Sequence, residues 1–367
     1  MIELNNVLKF SEISTLKLRA IYESYGYSHY KMSKFEEYDL YAGNKDFLVS
    51  GNVITFTDLD GRLLALKPDV TMSIIKNSTC EKGGFEKVYY SENVYRVGKS
   101  GLFKEIMQTG LECLGEIDMV NMCEVISLAT KSLAAFSEDY VLDISHMGIL
   151  MGIVDETGLK TETKRELIAY IGQKSVHGIK ELASVYEIPE KSLKKLITLC
   201  ELGTDYKVSL ESLALICDSD QTAKALDELK MLYSVVGSDK IRLDFSLVQD
   251  MNYYNGIVFQ GFIKGIPENI LSGGQYDKLV KRMGKKAGAI GFGIETDLLE
   301  RLPRSEEKEN TSVAVLYCSC CDARLLNECA SALRADGKKV LLLKKLPEGK
   351  EFSKVYRFRN GGLEEIE

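Results

Sequence analysis

The chain has 367 residues, enough for one large core and a second small domain. Its 47 Lys and Arg against 54 Asp and Glu give a formal charge of −7, which argues against a general nucleic-acid binder, whose affinity comes largely from cations on phosphates. No run reaches the length of a membrane span. The N-terminus, Met1-Ile-Glu-Leu-Asn-Asn, lacks the basic and apolar regions of an export signal, and nine scattered cysteines fit a reducing cytoplasm.

Residues 6–27 read as a helix, with Leu8, Ile13, Leu16, Leu18, Ile21 and Tyr22 on a loosely periodic apolar face. Val53-Ile-Thr-Phe-Thr57 and Leu63-Leu-Ala-Leu66 read as strands joined by the turn Asp58-Leu-Asp-Gly61. Lys67-Pro-Asp-Val-Thr71 opens a helix over 72–77, where Asp69 and Thr71 are the residue types that cap a helix start. Residues 88–98 and 102–115 read as two strands around a short loop. Gln108, Gly110 and Glu112 then share a strand face, which suits a pocket floor and equally an exposed sheet. A long, mostly apolar helix over 120–136, a core strand over 141–145 and a helix over 147–156 follow, with His146 alone and read as structural. Between about 157 and 239 the chain becomes a series of amphipathic helices punctuated by Pro189, and His177 reads as solvated. Residues 241–245 return to the sheet.

The densest pattern runs from Phe245 to Leu299: strand, turn, strand, glycine turn, helix, glycine-rich strand, then a helix over 295–302. Ile257, Val258 and Phe259 suit a buried strand. Gly273 and Gly274 permit a tight turn or a close backbone approach, and Gly288, Gly291 and Gly293 let a strand pass under a ligand. With Tyr253 and Tyr254 nearby, these glycines read either as the floor of a small-molecule pocket or as turns and bulges. A charged linker over 302–310 precedes a strand (311–317), a helix (322–335) and a second strand (339–344). Cys318-Ser-Cys-Cys321 with Cys329 lacks the twice-repeated Cys-x-x-Cys spacing of a zinc site and reads as thiols at a strand end.

Several motifs resemble the histidyl-tRNA synthetases, a class II synthetase family. That family writes Arg-Gly-Leu-Asp-Tyr-Tyr, Gly-Gly-Arg-Tyr-Asp and Gly-Phe-Ala-Ile-Gly-Leu-Glu-Arg-Leu. This chain writes Gln249-Asp-Met-Asn-Tyr-Tyr254, Gly273-Gly-Gln-Tyr-Asp277 and Gly291-Phe-Gly-Ile-Glu-Thr-Asp-Leu-Leu299, so Gln249, Gln275 and Leu298 stand where arginines stand in the family. Phe35-Glu-Glu-Tyr-Asp-Leu-Tyr41 resembles the dimer-forming motif. Lys67-Pro-Asp-Val-Thr71 resembles Leu-Arg-Pro-Glu-Gly-Thr. Tyr95-Arg96 matches the start of Phe-Arg-x-Glu, with Gly98 in place of the acid, and Phe103 to Glu112 matches Arg-Glu-Phe-x-Gln-x-Gly-x-Glu, with Lys104 for arginine.

The resemblance implies an α/β (α+β) fold. A class II synthetase-like antiparallel sheet core flanked by helices would span 1–305, with a helical insertion at about 157–239. A short α/β unit over 311–367 would resemble part of an anticodon-binding domain. It also implies a pocket for a histidine-like ligand. Asp69, Thr71 and Gln108 would meet its ammonium and Arg96 its carboxylate. Glu112 and Tyr254 would meet its imidazole, with Tyr253 alongside. No metal or cofactor is implied.

Activating an amino acid with ATP needs cations where charge develops, and a glutamine dipole cannot hold two negative oxygens as a guanidinium does. A pocket kept without those cations resembles the regulatory subunits of ATP phosphoribosyltransferase, the synthetase paralogues of histidine biosynthesis. That implies a non-catalytic homodimer assembled with the short catalytic subunit, needed for its activity and for feedback by histidine, with no tRNA and no membrane. The alternatives are a divergent histidyl-tRNA synthetase using other groups, and a synthetase-like binding protein acting on another enzyme or on translation.

Overall fold

A computed structural model describes residues 8–48, 52–79, 84–98, 101–247, 253–302 and 312–366. Gln249, residues 6–7 of the expected first helix and residues 303–310 of the expected charged linker lie outside the described residues. The chain forms two compact units, Phe10–Leu302 and a smaller one that contains Pro303–Glu367.

The larger unit runs α1 (Phe10–Ser24), β1 (Ser28–His29), β2 (Phe35–Glu37), α2 (Tyr38–Ala42), β3 (Thr55–Thr57), β4 (Leu63–Leu66) and α3 (Thr71–Asn77). The long hairpin β5 (Glu86–Val97) and β6 (Phe103–Gly115) follows, then α4 (Met119–Ala134), β7 (Tyr140–His146) and α5 (Met147–Asp155). Five helices come next: α6 (Thr161–Gly172), α7 (Val176–Val185), α8 (Glu190–Cys200), α9 (Tyr206–Ala214) and α10 (Asp220–Val236). The sheet resumes with β8 (Ile241–Leu243), β9 (Ile257–Ile263) and β10 (Leu271–Gln275), then α11 (Asp277–Arg282) and β11 (Gly288–Glu295).

Eight strands lie in the order β1-β5-β6-β11-β10-β9-β7-β8. The interior pairings are antiparallel, and only the edge pairs β1/β5 and β7/β8 are parallel. Because side chains alternate along a strand, the sheet sorts its residues into two cores. Behind it, Leu111, Cys113, Ile290 and Phe292 pack against Leu18 and Tyr22 of α1 and Val125, Ile126, Ala129 and Leu133 of α4. The five helices of 161–236 extend this core through residues such as Leu167, Ile179, Leu196, Leu213 and Leu229. In front, Val88, Tyr90, Leu114 and Ala289 pack against Met72, Ile74 and Ile75 of α3 and Leu279 and Val280 of α11. Each such fully buried aliphatic side chain contributes about 1.5–3 kcal/mol. Gln108, Gly110 and Glu112 keep step with Leu114, and Gly291, Gly293 and Glu295 with Ala289, so all six belong to the front face.

Two readings of the glycine-rich stretch change. Gly273 and Gly274 are not a turn: they lie within β10, paired with β9 on one side and β11 on the other. Residues after Glu295 form 3-10 turns over Thr296–Arg301 rather than an α-helix. His146 is structural, as expected, and starts α5: its Nδ1 accepts the Gly148 N–H at 3.0 Å, and Nε2 lies 2.9 Å from Glu228 Oε2.

The smaller unit contains β12 (Ser312–Leu316), α12 (Ala323–Ala335), β13 (Lys339–Leu343), β14 (Lys354–Arg359) and β15 (Gly362–Glu365), in sheet order β13-β12-β14-β15. Asp322 accepts the N–H groups of Arg324 and Leu325 and so sets the start of α12. The β14/β15 hairpin, absent from the sequence reading, turns at Asn360 and Gly361, both at positive φ (50° and 78°), the pair a two-residue I′ turn requires. Val313, Val315, Leu326 and Phe358 form its core.

Candidate functional site

Bare backbone on β10 and β11 makes room for a polar cluster on the front face. A Cβ at Gly291 would lie 1.7 Å from Glu112 Oε2 and 2.4 Å from the Leu111 carbonyl oxygen. At Gly293 it would lie 2.0 Å from Gln108 Nε2, and at Gly274 2.5 Å from the Tyr254 ring. These glycines therefore let Glu112, Gln108 and Tyr254 lie against the sheet, which is the close approach that only glycine permits. Above them is a cavity of about 260 Å³.

All seven residues singled out from the sequence line this cavity: Asp69, Thr71, Arg96, Gln108, Glu112, Tyr253 and Tyr254. Glu112 is 2% exposed. Its Oε1 accepts the Thr71 hydroxyl at 2.7 Å, and its Oε2 accepts the Tyr276 hydroxyl. Burial pushes the Glu112 carboxyl up to about 8, with the two hydroxyl donors opposing the shift and the neighbouring Asp69 charge adding to it. Burial likewise raises Asp69, against the pull of the Arg96 guanidinium and of the Met72 and Thr71 backbone N–H groups. Asp69 Oδ1 accepts the Met72 N–H at 2.9 Å. It therefore caps α3 and borders the cavity at once, so the two readings of this residue are compatible. Burial also holds the hydroxyls of Tyr90, Tyr253 and Tyr276 well above their ordinary value, which keeps them as hydrogen-bond donors.

Arg96 is the one cation among the described residues that line the cavity. Its Nε donates to the Pro68 carbonyl at 2.8 Å, Nη2 lies 3.5 Å from Gln108 Oε1, and Nη1 lies 3.9 Å from Glu295 Oε1. The positions where the resemblance leads one to look for arginines are placed differently. Gln275 donates its amide to Asp277 at 2.9 Å, and Leu298 packs against the large core behind the sheet. Gln249 is outside the described residues.

Tyr276, Tyr90 and Glu295 are among the cavity residues that were not singled out. Tyr276 sits inside the quoted Gly273–Asp277 motif, so its signal was present. Tyr90 and Glu295 follow from strand periodicity alone: Tyr90 faces with Val88, and Glu295 follows Gly291 and Gly293 at intervals of two. Among the described residues no group of three or more His, Cys, Asp or Glu is placed to hold a metal ion. In the smaller unit, Cys318 and Cys320 are exposed, with their Sγ atoms 2.8 Å apart.

A cavity of this chemistry suits a small polar ligand with hydrogen-bond donors: three carboxyl groups, several hydroxyls and an aromatic wall converge on one space. Comparison with known proteins agrees with the motifs. The histidyl-tRNA synthetase family profile matches residues 8–299. An ATP phosphoribosyltransferase regulatory subunit from Caldanaerobacter subterraneus subsp. tengcongensis is 32% identical over 338 residues, covering 88% of this chain and 87% of that protein. The protein of the same name from Clostridium acetobutylicum is 29% identical over 354 residues, covering 91% and 86%. Among solved structures, an ATP phosphoribosyltransferase regulatory subunit/histidyl-tRNA synthetase from Bacillus halodurans C has the same fold. Its TM-score is 0.76 at 23% identity, covering 92% of this chain and 90% of that one. A chain of an ATP phosphoribosyl transferase (HisG:HisZ) complex from Thermotoga maritima also shares the fold, with a TM-score of 0.63 at 18% identity, covering 78% and 97%.

Proposed function

The chain belongs to the histidyl-tRNA synthetase family, among its ATP phosphoribosyltransferase regulatory subunits, and from this we propose that it is a non-catalytic partner of the short catalytic subunit of that enzyme. In this role it supports the first step of histidine biosynthesis and its feedback by histidine. The observation that carries the non-catalytic reading is the cavity's charge: Asp69, Glu112 and Glu295 face a single described cation, Arg96, whose three nitrogens all lie near protein oxygens. Activating an amino acid with ATP requires cations aimed at the phosphates as charge develops. With Gln249, Gln275 and Leu298 at the arginine positions of the motifs, the cavity is suited to holding a ligand and not to adenylating it.

The ligand we assign to it is histidine-like, in keeping with the converging Asp69, Thr71, Gln108, Glu112, Tyr253 and Tyr254. A ligand regulates only through a difference in affinity between two states, so the cavity acts by being better formed in one arrangement of the assembled enzyme than in another. We also propose a homodimer within the hetero-oligomer. The dimer-like motif begins at Phe35, whose ring stacks edge-on with Phe56 at 5.5 Å on a three-stranded sheet, β2-β4-β3. Phe35 and Phe56 are 45% and 38% exposed there, on the face they share with Leu64 and Leu66. That is the kind of apolar patch that a two-fold contact covers.

The function is tested by mixing the purified chain with a short-form ATP phosphoribosyltransferase. Co-purification and a rise in its activity are expected. The same preparation should give no histidine-dependent pyrophosphate exchange, and turnover on the order of 1 per second would identify a synthetase instead.

A further inference from the structure

The described cysteines divide by burial. Cys113, Cys123, Cys200 and Cys217 are buried in the larger unit, and Cys318, Cys320, Cys321 and Cys329 belong to the smaller one, where only Cys318 and Cys320 are exposed. These two lie in the turn between β12 and α12. The Tyr317 N–H donates to the Leu343 carbonyl at 2.9 Å and the Cys321 N–H to the Cys318 carbonyl at 3.1 Å, so the turn is tied at both ends. The Sγ atoms of Cys318 and Cys320 lie 2.8 Å apart. A disulfide holds its sulfurs about 2.05 Å apart, so a small side-chain rotation brings this pair to bonding distance. Cys321 and Cys329 are half-buried and pack against the core of Val313, Val315, Leu326 and Phe358. An oxidant arriving from solvent therefore meets Cys318 and Cys320 first.

The pair is asymmetric. Hydrogen bonds from the Cys320 thiol and backbone, with the nearby Arg359 guanidinium, hold the Cys318 thiol below its ordinary value, and the same contact between the sulfurs pushes Cys320 up. The thiolate is the attacking form of a cysteine, and an exposed disulfide is the kind that is readily reduced again. We propose that Cys318 and Cys320 form a reversible oxidation site for hydroperoxides, in which Cys318 attacks and Cys320 resolves. With hydrogen peroxide, the Cys318 thiolate forms an S–O bond as the O–O bond breaks, and the departing hydroxide takes a proton to leave as water. Sulfur is oxidised to the sulfenic acid and the peroxide is reduced. The Cys320 sulfur then attacks the Cys318 sulfur. The S–S bond forms, the S–O bond breaks, and the hydroxyl leaves with the Cys320 proton as a second water. The site is separate from the ligand cavity and does not depend on the regulatory role proposed above.

The test treats the full-length, fully reduced chain with a small excess of hydrogen peroxide and reads its intact mass. The expected product has lost two hydrogens per chain and regains them with dithiothreitol, and fragmentation of the peptide that carries Cys318-Ser-Cys-Cys321 places the bond between Cys318 and Cys320. Cys321→Ser should keep this loss. Cys320→Ser should abolish it and leave Cys318 as a sulfenic acid that dimedone traps. Cys318→Ser should abolish it and slow peroxide consumption about tenfold or more. The wild-type fragmentation stands as a test by itself should a variant fold poorly. No loss of hydrogens in the wild type, a bond mapped to another pair, or a loss that persists in Cys318→Ser or Cys320→Ser overturns the assignment.

Discussion

Glu112 concentrates the chemistry of the site. Its carboxyl is 2% exposed and held by Thr71 and Tyr276, and burial raises it from 4.5 to about 8. The folded chain therefore binds this proton more tightly than the unfolded chain does. The contribution to stability is complete below the unfolded value of 4.5 and is lost as pH rises through about 8. Glu112→Gln carries no charge at any pH, so it should remove that loss. Its urea midpoint should exceed that of the wild type at about pH 9, with the two converging at about pH 5. A wild-type advantage that widens with pH would contradict the assignment. Glu112→Ala should weaken binding of an imidazole-bearing ligand by about 1–3 kcal/mol, because a desolvated N–H loses its acceptor. Calorimetry with histidine reads this, and an unchanged affinity would mean that Glu112 only satisfies Thr71 and Tyr276. At this scale the residue types were legible, because acids and hydroxyls at motif positions are visible without a fold. The partner of each was not. Thr71 gives its hydroxyl to Glu112 rather than to the backbone of α3, and that bond joins residues 41 apart in sequence.

Among the elements, β10 and β11 decide whether there is a cavity. Gly291→Ala would press a methyl group against the Leu111 carbonyl oxygen at 2.4 Å as well as Glu112, and backbone cannot swing aside. The expected cost is about 1–3 kcal/mol in urea denaturation. Gly293→Ala meets chiefly the amide end of Gln108, at 2.0 Å, which can rotate away. It should therefore lose ligand binding with a smaller loss of stability, and equal losses in the two variants would count against this account of the glycines. The same strands show where local sequence stops being informative. Two adjacent glycines are locally a turn signal, and only pairing with β9 and β11 on both sides makes Gly273 and Gly274 a strand. The helices of 161–236 were legible because amphipathic periodicity is local. The β14/β15 hairpin needed recognition of Asn360-Gly361 as its turn.

At the scale of the whole molecule, the fold was legible through motifs spread from Phe35 to Leu299, of which those over 103–112, 273–277 and 291–295 lie on strands of the eight-stranded sheet or at the helix start beside it. The contact surface with another subunit was not, since flat or partly apolar surface has no local signature. The exposed pair Phe35 and Phe56 gives one specific expectation: light scattering at micromolar concentration should read a homodimer, and Phe35→Glu should shift it toward monomer. A wild-type monomer would remove the two-fold contact from the proposal. The assignment as a regulatory subunit is tested most directly by the rate of a short-form ATP phosphoribosyltransferase, measured with and without the full-length chain. The account predicts that the chain co-purifies with that subunit, raises its rate and makes it sensitive to histidine, while the chain alone exchanges no pyrophosphate. A catalytic subunit indifferent to the chain, together with histidine-dependent pyrophosphate exchange at about 1 per second or faster, would contradict it.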